Sequence, residues 1–338
     1  MKNILTRFES YRGLYWPMIC ELVDRLLAER GLGQSSISSM WTYQEQTGGK
    51  RLRAILPLLV AESMGLDPES LVPFGAACEL IHNATLVHDD IQDGDEMRRD
   101  QPALWCEFGE AQAINFGDAL LYLAPLCLDH LKVPSEERWA LARKMFSDIL
   151  RVIDGQEREF LLQKSGVSFA NYEAMVSGKT SGLFSLPLVG AAQIGNADRE
   201  IIASLEKVSQ ELGILFQMQD DILDLYGEKG RAYKGTDIEE GKISLLVIAF
   251  KECASSKEFE MLMNILLKER GDTTKEDVSW AIESFRTSGA LAVALKWIEE
   301  RKNKILQEVD YRAYPELETL IGEMIDLFLH PIAELKVF

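Results

Sequence analysis

The sequence predicts an all-α fold, and three observations carry that expectation. Ile201, Leu205, Val208, Leu212, Leu215 and Ile222 step by three, four or seven, which places them on one helical stripe. No series of alternating apolar and polar residues marks strands, and no Asn-Gly or Asp-Gly pair sits between alternating runs. No Pro/Ser-rich linker, low-complexity tract or short-period repeat interrupts the pattern. The chain has 338 residues, 47% of them hydrophobic. Length alone suggests about two domains, but the unbroken patterning favours one all-helical domain over residues 1–338.

The opening MKNILTRFESYRG is broken by Arg7 and Glu9 before any apolar run reaches signal-peptide length. The longest uncharged run, residues 180–197, contains three glycines, Pro187, Gln193 and Asn196, so no integral membrane segment is expected. Cys20, Cys78, Cys106, Cys127 and Cys253 are odd in number and lack paired spacing, as reduced thiols of a cytoplasmic protein would be. The net charge of −18 argues against nucleic acid or an anionic membrane surface as a partner. Small anions remain possible partners, because a metal ion inverts the local field.

The first chemical motif is TGGKRLRAILPLL. Gly48 and Gly49 permit close backbone approach, and Lys50, Arg51 and Arg53 place cations before an apolar helix. The P-loop spacing is missing. Cations at a helix N-terminus oppose the dipole unless an anion sits among them. His82, one heptad before Asp89, lies near the same helix face and could donate to that anion; a lone histidine is as often structural.

LVHDDIQDGDEMRR follows, with five acids in eight positions and then Arg98 and Arg99. Asp89 and Asp93 stand i, i+4, so their carboxylates project one turn apart, and Asp90 can support Asp89 or a metal's second shell. FQMQDDILDLYGE repeats the arrangement with Asp220, Asp221 and Asp224. Two such faces opposed across a bundle would repel unless something positive lay between them. Carboxylates without nearby Cys or paired His ligands point to a hard cation, Mg²⁺ above all, and the spacing excludes a calcium EF-hand. Mg²⁺ is commonly shared with substrate phosphates, which explains why Arg98 and Arg99 stand beside the acids. A solvated acidic helix start is the plain alternative for one such cluster; two copies in apolar sequence favour metal.

Towards the C-terminus, Thr273 and Glu276 have capping-box spacing ahead of Val278, Ile282 and Phe285. Gly289 separates that helix from another over residues 290–310.

GGKRLR, DDIQD with its trailing RR, SGKTSGLF and FQMQDDILD, in this order over residues 48–242, resemble the trans-isoprenyl diphosphate synthases of the polyprenyl synthetase family. The resemblance implies a homodimeric helical bundle around a deep central cavity. It implies a prenyltransferase that ionises an allylic diphosphate held through three Mg²⁺ by Asp89, Asp93 and Asp220, with Asp90, Asp221 and Asp224 nearby. Gly49, Lys50, Arg53, His82 and Arg99 match positions around isopentenyl diphosphate. Arg98, Lys179, Thr180, Gln217 and Lys242 match positions around the allylic diphosphate. The sequence departs from the family pattern at Asp100, Ala103 and Leu246, where the family has glycine, threonine and proline. Ala232 stands where the family has an allylic-site lysine, and Lys229, Arg231 and Lys234 are the candidates to replace it.

The growing chain should run along the helix that carries Asp89. Each turn advances ~5.4 Å, roughly one isoprene unit, so Thr85, Ala84 and Ile81 mark successive depths. The first two are small, which favours a C20 product, with C15 or a longer one open. Tyr122 and Leu126 on the next helix are expected either to form a floor or to pack in the core. Two rival readings stand: a class I terpene cyclase, which has little use for Lys50, Arg53, His82 and Arg99, and a non-catalytic partner subunit.

Overall fold

The computed structural model describes residues 2–227, 234–308, 311, 313–333 and 335. The helices are α1 (Lys2–Glu29), α2 (Ser36–Gln46), α3 (Leu52–Ser63) and α4 (Val72–Asp93), then α5 (Leu104–Phe108), α6 (Glu110–Cys127), α7 (Ser135–Ser165) and α8 (Phe169–Lys179). There follow α9 (Gly182–Ile194), α10 (Arg199–Tyr226), α11 (Thr236–Glu239), α12 (Leu245–Cys253), α13 (Ser256–Leu266), α14 (Lys275–Thr287), α15 (Ala290–Glu308) and α16 (Pro315–Leu329). The strands β1 (Met97–Arg98) and β2 (Gln101–Pro102) form a two-stranded antiparallel sheet between α4 and α5. The all-α expectation holds.

The chain divides into two compact units, residues 1–149, 183–206 and 311–323, and residues 150–182, 207–310 and 324–338. In the first unit α4 packs against α1, α3 and α6. Phe74, Ala77, Leu80, Ile81, Ala84 and Val87 of α4 are all buried. A helix apolar on every side must be enclosed on every side, which makes α4 the axis of this unit. Gly75 lets α3 come close, since a Cβ there would stand 2.4 Å from the Ala54 carbonyl oxygen. α6 belongs to the one stretch, Glu110–His130, that among the described residues is long and apolar enough to cross a membrane; it packs on α4.

In the second unit, the apolar stripe of α10 is buried along Val208, Leu212, Leu215 and Ile222, as its spacing predicts. α12 packs on α8, α13, α14 and α15, with Leu245 to Phe250 all buried. The helix after residue 273 starts one residue later than expected. Thr274, not Thr273, is the N-cap, and its capping-box partner is Asp277, not Glu276. TTKED contains two overlapping frames of equal spacing, and Asp277 also takes an ion pair from Lys268 at 2.5 Å, which Glu276 does not.

Candidate active site

The acid-rich end of α4 is closed by Gly94, left-handed at φ 69, with the Asp95 amide donating to the Asp90 carbonyl at 2.8 Å. That reversal leads straight into β1. Arg99 (φ 53) and Asp100 (φ 62) form the two central positions of a two-residue turn, both left-handed as type I′ geometry requires. Alternation cannot mark this turn in the sequence, because its strands are two residues each and no Asn-Gly or Asp-Gly pair joins them. Asp100 fills a position suited to glycine because a short polar side chain tolerates the left-handed region. The left-handed region costs an L-residue about 1–2 kcal/mol, against glycine's extra chain entropy of about 0.5–1 kcal/mol. Asp100→Gly is therefore expected to stabilise the protein slightly, by less than about 1 kcal/mol, read as a small rise in thermal midpoint. A fall would show that the Asp100 side chain itself holds the turn.

The turn aims its two arginines at different partners. Arg98 Nε donates to Asp90 Oδ1 at 2.5 Å. Burial pushes the Asp90 carboxyl up to about 6, Arg98 pulls it back, and Asp95 and Asp89 raise it further. Asp90 is committed to the arginine. Asp89 and Asp93 are half-buried and stand one turn apart on α4. Arg99 Nη1 donates to the Gly48 carbonyl at 2.6 Å. Gly49 sits at φ 109, and a Cβ there would fall 2.3 Å from Arg99 Nη1. The close approach that the glycine pair permits is thus made by Arg99.

Arg51, which the sequence places among the cationic donors, has another task. It is the left-handed N-cap of α3 (φ 54, ψ 35), buried, with its guanidinium 4.3 Å over the Trp16 ring. Arg53 is buried with its guanidinium 4.7 Å over Phe184, while Lys50 is exposed. His82 lies among these groups, partly exposed, with Nδ1 buried and lacking a hydrogen-bond partner. Burial, then the charges of Arg53, Arg99, Arg98 and Arg51, hold its pKa well below the ordinary histidine value. An imidazole with an orphaned nitrogen thus stands in the field of four arginines, in a protein of net charge −18.

In the second unit, the Asp221 carboxylate is saturated. It accepts from Tyr172 Oη at 2.8 Å, the Leu245 amide at 2.7 Å and Gln217 Nε2 at 2.8 Å. Burial pushes its pKa up, while those donors pull the other way. Gln217 Oε1 in turn accepts from Thr180 Oγ1 at 3.1 Å. Thr180, Gln217 and Asp221 therefore form one chain. Asp224 accepts from Thr236 Oγ1 and the Asp237 amide, fixing the start of α11. Asp220 is half-buried. Lys179 pairs with Glu159, and Lys242 with Glu240 at 2.6 Å. Lys234 is exposed; Lys229, Arg231 and Ala232 lie outside the described residues. Leu246, in place of the family proline, is buried within α12.

Within each unit, no three acidic, histidine or cysteine side chains among the described residues converge on one point. Mg²⁺ takes one or two carboxylates and fills its other positions with water and substrate phosphate. The donor set fits the ion: hard oxygens only, with Arg98 and Arg99 following the first acidic cluster.

Residues 34–285 match the polyprenyl synthetase family. The chain belongs to that family. It is 35% identical over 274 residues to a short chain isoprenyl diphosphate synthase of Methanothermobacter thermautotrophicus, covering 78% of this chain and 83% of the relative. It is 33% identical over 272 residues to a geranylgeranyl diphosphate synthase of Methanosarcina mazei, covering 78% and 81%. The crystal structure of geranylgeranyl pyrophosphate synthetase from Pyrococcus horikoshii superposes with a TM-score of 0.82 at 29% identity, covering 96% of this chain and 98% of that one. The chain is thus a prenyltransferase with the all-α isoprenoid synthase fold.

Of the α4 residues expected to mark depth in this polyprenyl synthetase, Ile81 and Ala84 are buried and Thr85 is half-buried, its hydroxyl donating to the His82 carbonyl at 2.8 Å. The expectation for Tyr122 is corrected. It is 77% exposed, neither floor nor core, because α6 turns that side away from α4; Leu126 is half-buried. Sequence reasoning also missed Glu79, Glu159 and Tyr172. A signal existed for Glu79, a carboxylate inside the otherwise apolar run AACELI.

Proposed function

We propose that this prenyltransferase condenses isopentenyl diphosphate with an allylic diphosphate and that its main product is C20. The observation that carries the reading is His82 with its orphaned Nδ1 among Arg51, Arg53, Arg98 and Arg99. A terpene cyclase, which ionises one diphosphate, has no use for a second cationic pocket beside its acid ladder. In this reading Gly49, Lys50, Arg53, His82 and Arg99 hold isopentenyl diphosphate. Arg98, Lys179, Thr180, Gln217 and Lys242 hold the allylic diphosphate, with Glu159 and Glu240 exchanged for phosphate oxygens at Lys179 and Lys242.

Asp89, Asp93 and Asp220 would ligate Mg²⁺, three ions per site, with Asp90, Asp221 and Asp224 fixing the ladders through their own hydrogen bonds. The ions supply Lewis acidity that draws charge onto the departing diphosphate. The allylic C–O bond then breaks heterolytically, and the isopentenyl double bond attacks the cation to form the new C–C bond. Transfer of a proton from the resulting cation to the departed diphosphate completes a chain longer by five carbons. In this reading lysine and arginine charges would meet the developing negative charge, and apolar side chains such as Ile81 and Ala84 would keep water from the cation.

The C20 product follows from the small side chains one turn below Asp89, and relatives named for geranylgeranyl diphosphate agree with it. The test incubates the enzyme and Mg²⁺ with isopentenyl diphosphate and dimethylallyl, geranyl or farnesyl diphosphate in turn. C20 is the expected main product, and Ala84→Phe is expected to shift it to C15 or C10. Hydrocarbon released from an allylic diphosphate alone would instead favour the cyclase, and an unchanged product distribution in Ala84→Phe would overturn this account of length.

Self-association is part of the same proposal. Trp139, Phe146, Ile153 and Phe160 of α7, spaced by sevens, are 57%, 42%, 57% and 51% exposed, a heptad stripe fitted to a second copy of the helix. The free cysteines accord with a cytoplasmic protein and reduced thiols.

A further inference from the structure

We propose that Glu79, through Arg51, is a positioning residue for the isopentenyl diphosphate arm; the inference rests on the assignment of that arm in the proposed function. The geometry points to it as follows. α3 begins at an arginine in the left-handed conformation, and no side chain at its own N-cap accepts a hydrogen bond. Glu79, on α4, supplies the missing acceptor from outside: its Oε2 takes the Ala54 amide, third residue of α3, at 3.2 Å. Its Oε1 takes Arg51 Nη1 at 3.3 Å. One carboxylate therefore caps the helix and holds the residue that starts it.

Two further donors of Arg51 are also used. Nη2 donates to the carbonyls of Gln44 at 3.1 Å and Glu45 at 2.8 Å, and the guanidinium covers Trp16. Three of its five N–H donors are thus committed to protein acceptors, so Arg51 lends the pocket its charge while its position is fixed from inside. Asn83, one turn beyond Glu79, donates to Glu79 Oε1 at 3.1 Å and accepts from Gln44 Nε2 at 2.9 Å. α1, α2, α3 and α4 thus meet in one buried network, with Glu79 2% and Arg51 5% exposed. Strained backbone persists where surrounding structure over-determines it. Here the inward turn of Arg51 leaves its predecessor Lys50 exposed and sets the direction of Arg53. His82 stands three residues after Glu79 on the same helix, so the carboxylate fixes both sides of the arm.

Charge and geometry make opposite demands, which gives the test its sign. Glu79 is an anion near an anion site, so on charge alone Glu79→Gln would tighten isopentenyl diphosphate binding. Positioning requires weaker binding, because glutamine keeps one acceptor oxygen and cannot serve both the Ala54 amide and Arg51. The experiment titrates isopentenyl diphosphate calorimetrically into wild type, Glu79→Gln and Arg51→Lys, and measures KM for each substrate with melting curves as a folding control. Arg51→Lys keeps the ion pair but loses the fork onto the Gln44 and Glu45 carbonyls, and it decides the matter if Glu79→Gln does not fold. The expected result is a rise of about tenfold in Kd and KM for isopentenyl diphosphate, with KM for the allylic diphosphate within twofold of wild type. Unchanged or tighter isopentenyl diphosphate binding in the folded variants, or an equal rise for both substrates, overturns the positioning role. Failure of wild type to bind isopentenyl diphosphate would overturn the assignment of the arm instead.

Discussion

Asp89→Ala and Asp220→Ala are each expected to lower kcat/KM by at least about 10³-fold, equivalent to about 4 kcal/mol of transition-state stabilisation, while the melting temperature stays near that of wild type. The size follows from what the carboxylates do in the proposed mechanism. Each would hold a cation that takes up charge on the leaving diphosphate, a term made only as the C–O bond breaks, so its loss falls on kcat. The unchanged stability follows from position: both side chains are half-buried, and each stands next to another aspartate whose repulsion it would relieve. Asp221→Ala should behave differently. It strands the Tyr172 hydroxyl, the Leu245 amide and the Gln217 amide. Each unsatisfied buried donor costs about 1–3 kcal/mol, so that variant should lose stability as well as rate. Steady-state kinetics beside melting curves would separate the two classes. An Asp89→Ala enzyme within tenfold of wild-type kcat/KM would remove the metal ladder from the mechanism.

The contrast between Asp220 and Asp221 also marks where the sequence stops being legible. Helical spacing located the elements, because burial of one stripe is a property of a single helix and shows in its own residues. The stripe from Leu205 to Ile222 and the buried face of α14 are of that kind. The DDxxD clusters were legible as chemistry for the same reason, since i and i+4 share a face wherever the helix lies. Spacing does not divide labour among adjacent aspartates. Asp90 goes to Arg98, and Asp221 to a tyrosine 49 residues earlier, and those partners come from other elements. Arg51 was misread likewise, because its left-handed backbone turns it inward while its neighbours look alike in sequence. Tyr122 was misplaced because membership of an apolar helix does not say which side that helix shows to its neighbour. One-residue ambiguities, such as Thr273 against Thr274, are settled by a partner outside the motif, here Lys268.

Gly155→Ala is expected to destabilise the protein by about 1–3 kcal/mol and to lower kcat by about 10²-fold. α7 and α8 touch here backbone to backbone. A Cβ on Gly155 would stand 2.0 Å from the Lys179 amide nitrogen and 2.6 Å from the Gly178 carbonyl carbon. A Cβ on Gly178 would meet the Gly155 Cα at 2.8 Å and the Arg151 carbonyl at 3.0 Å. No flexible side chain is available to yield, so the helices must separate or shift, and Lys179 and Thr180 at the end of α8 must move with them. Thr180 is the first member of the chain through Gln217 to Asp221, so the displacement reaches the second aspartate cluster. A rate loss from a methyl group that touches no substrate is the signature of misplacement. Gly322→Ala provides the control. It lies within α16, a Cβ there meets nothing within 4 Å, and alanine should stabilise the helix by about 1 kcal/mol. Wild-type stability and kcat in Gly155→Ala would mean that the α7–α8 contact is slack enough to absorb a methyl group, and that Lys179 is positioned by its bond to Glu159 instead.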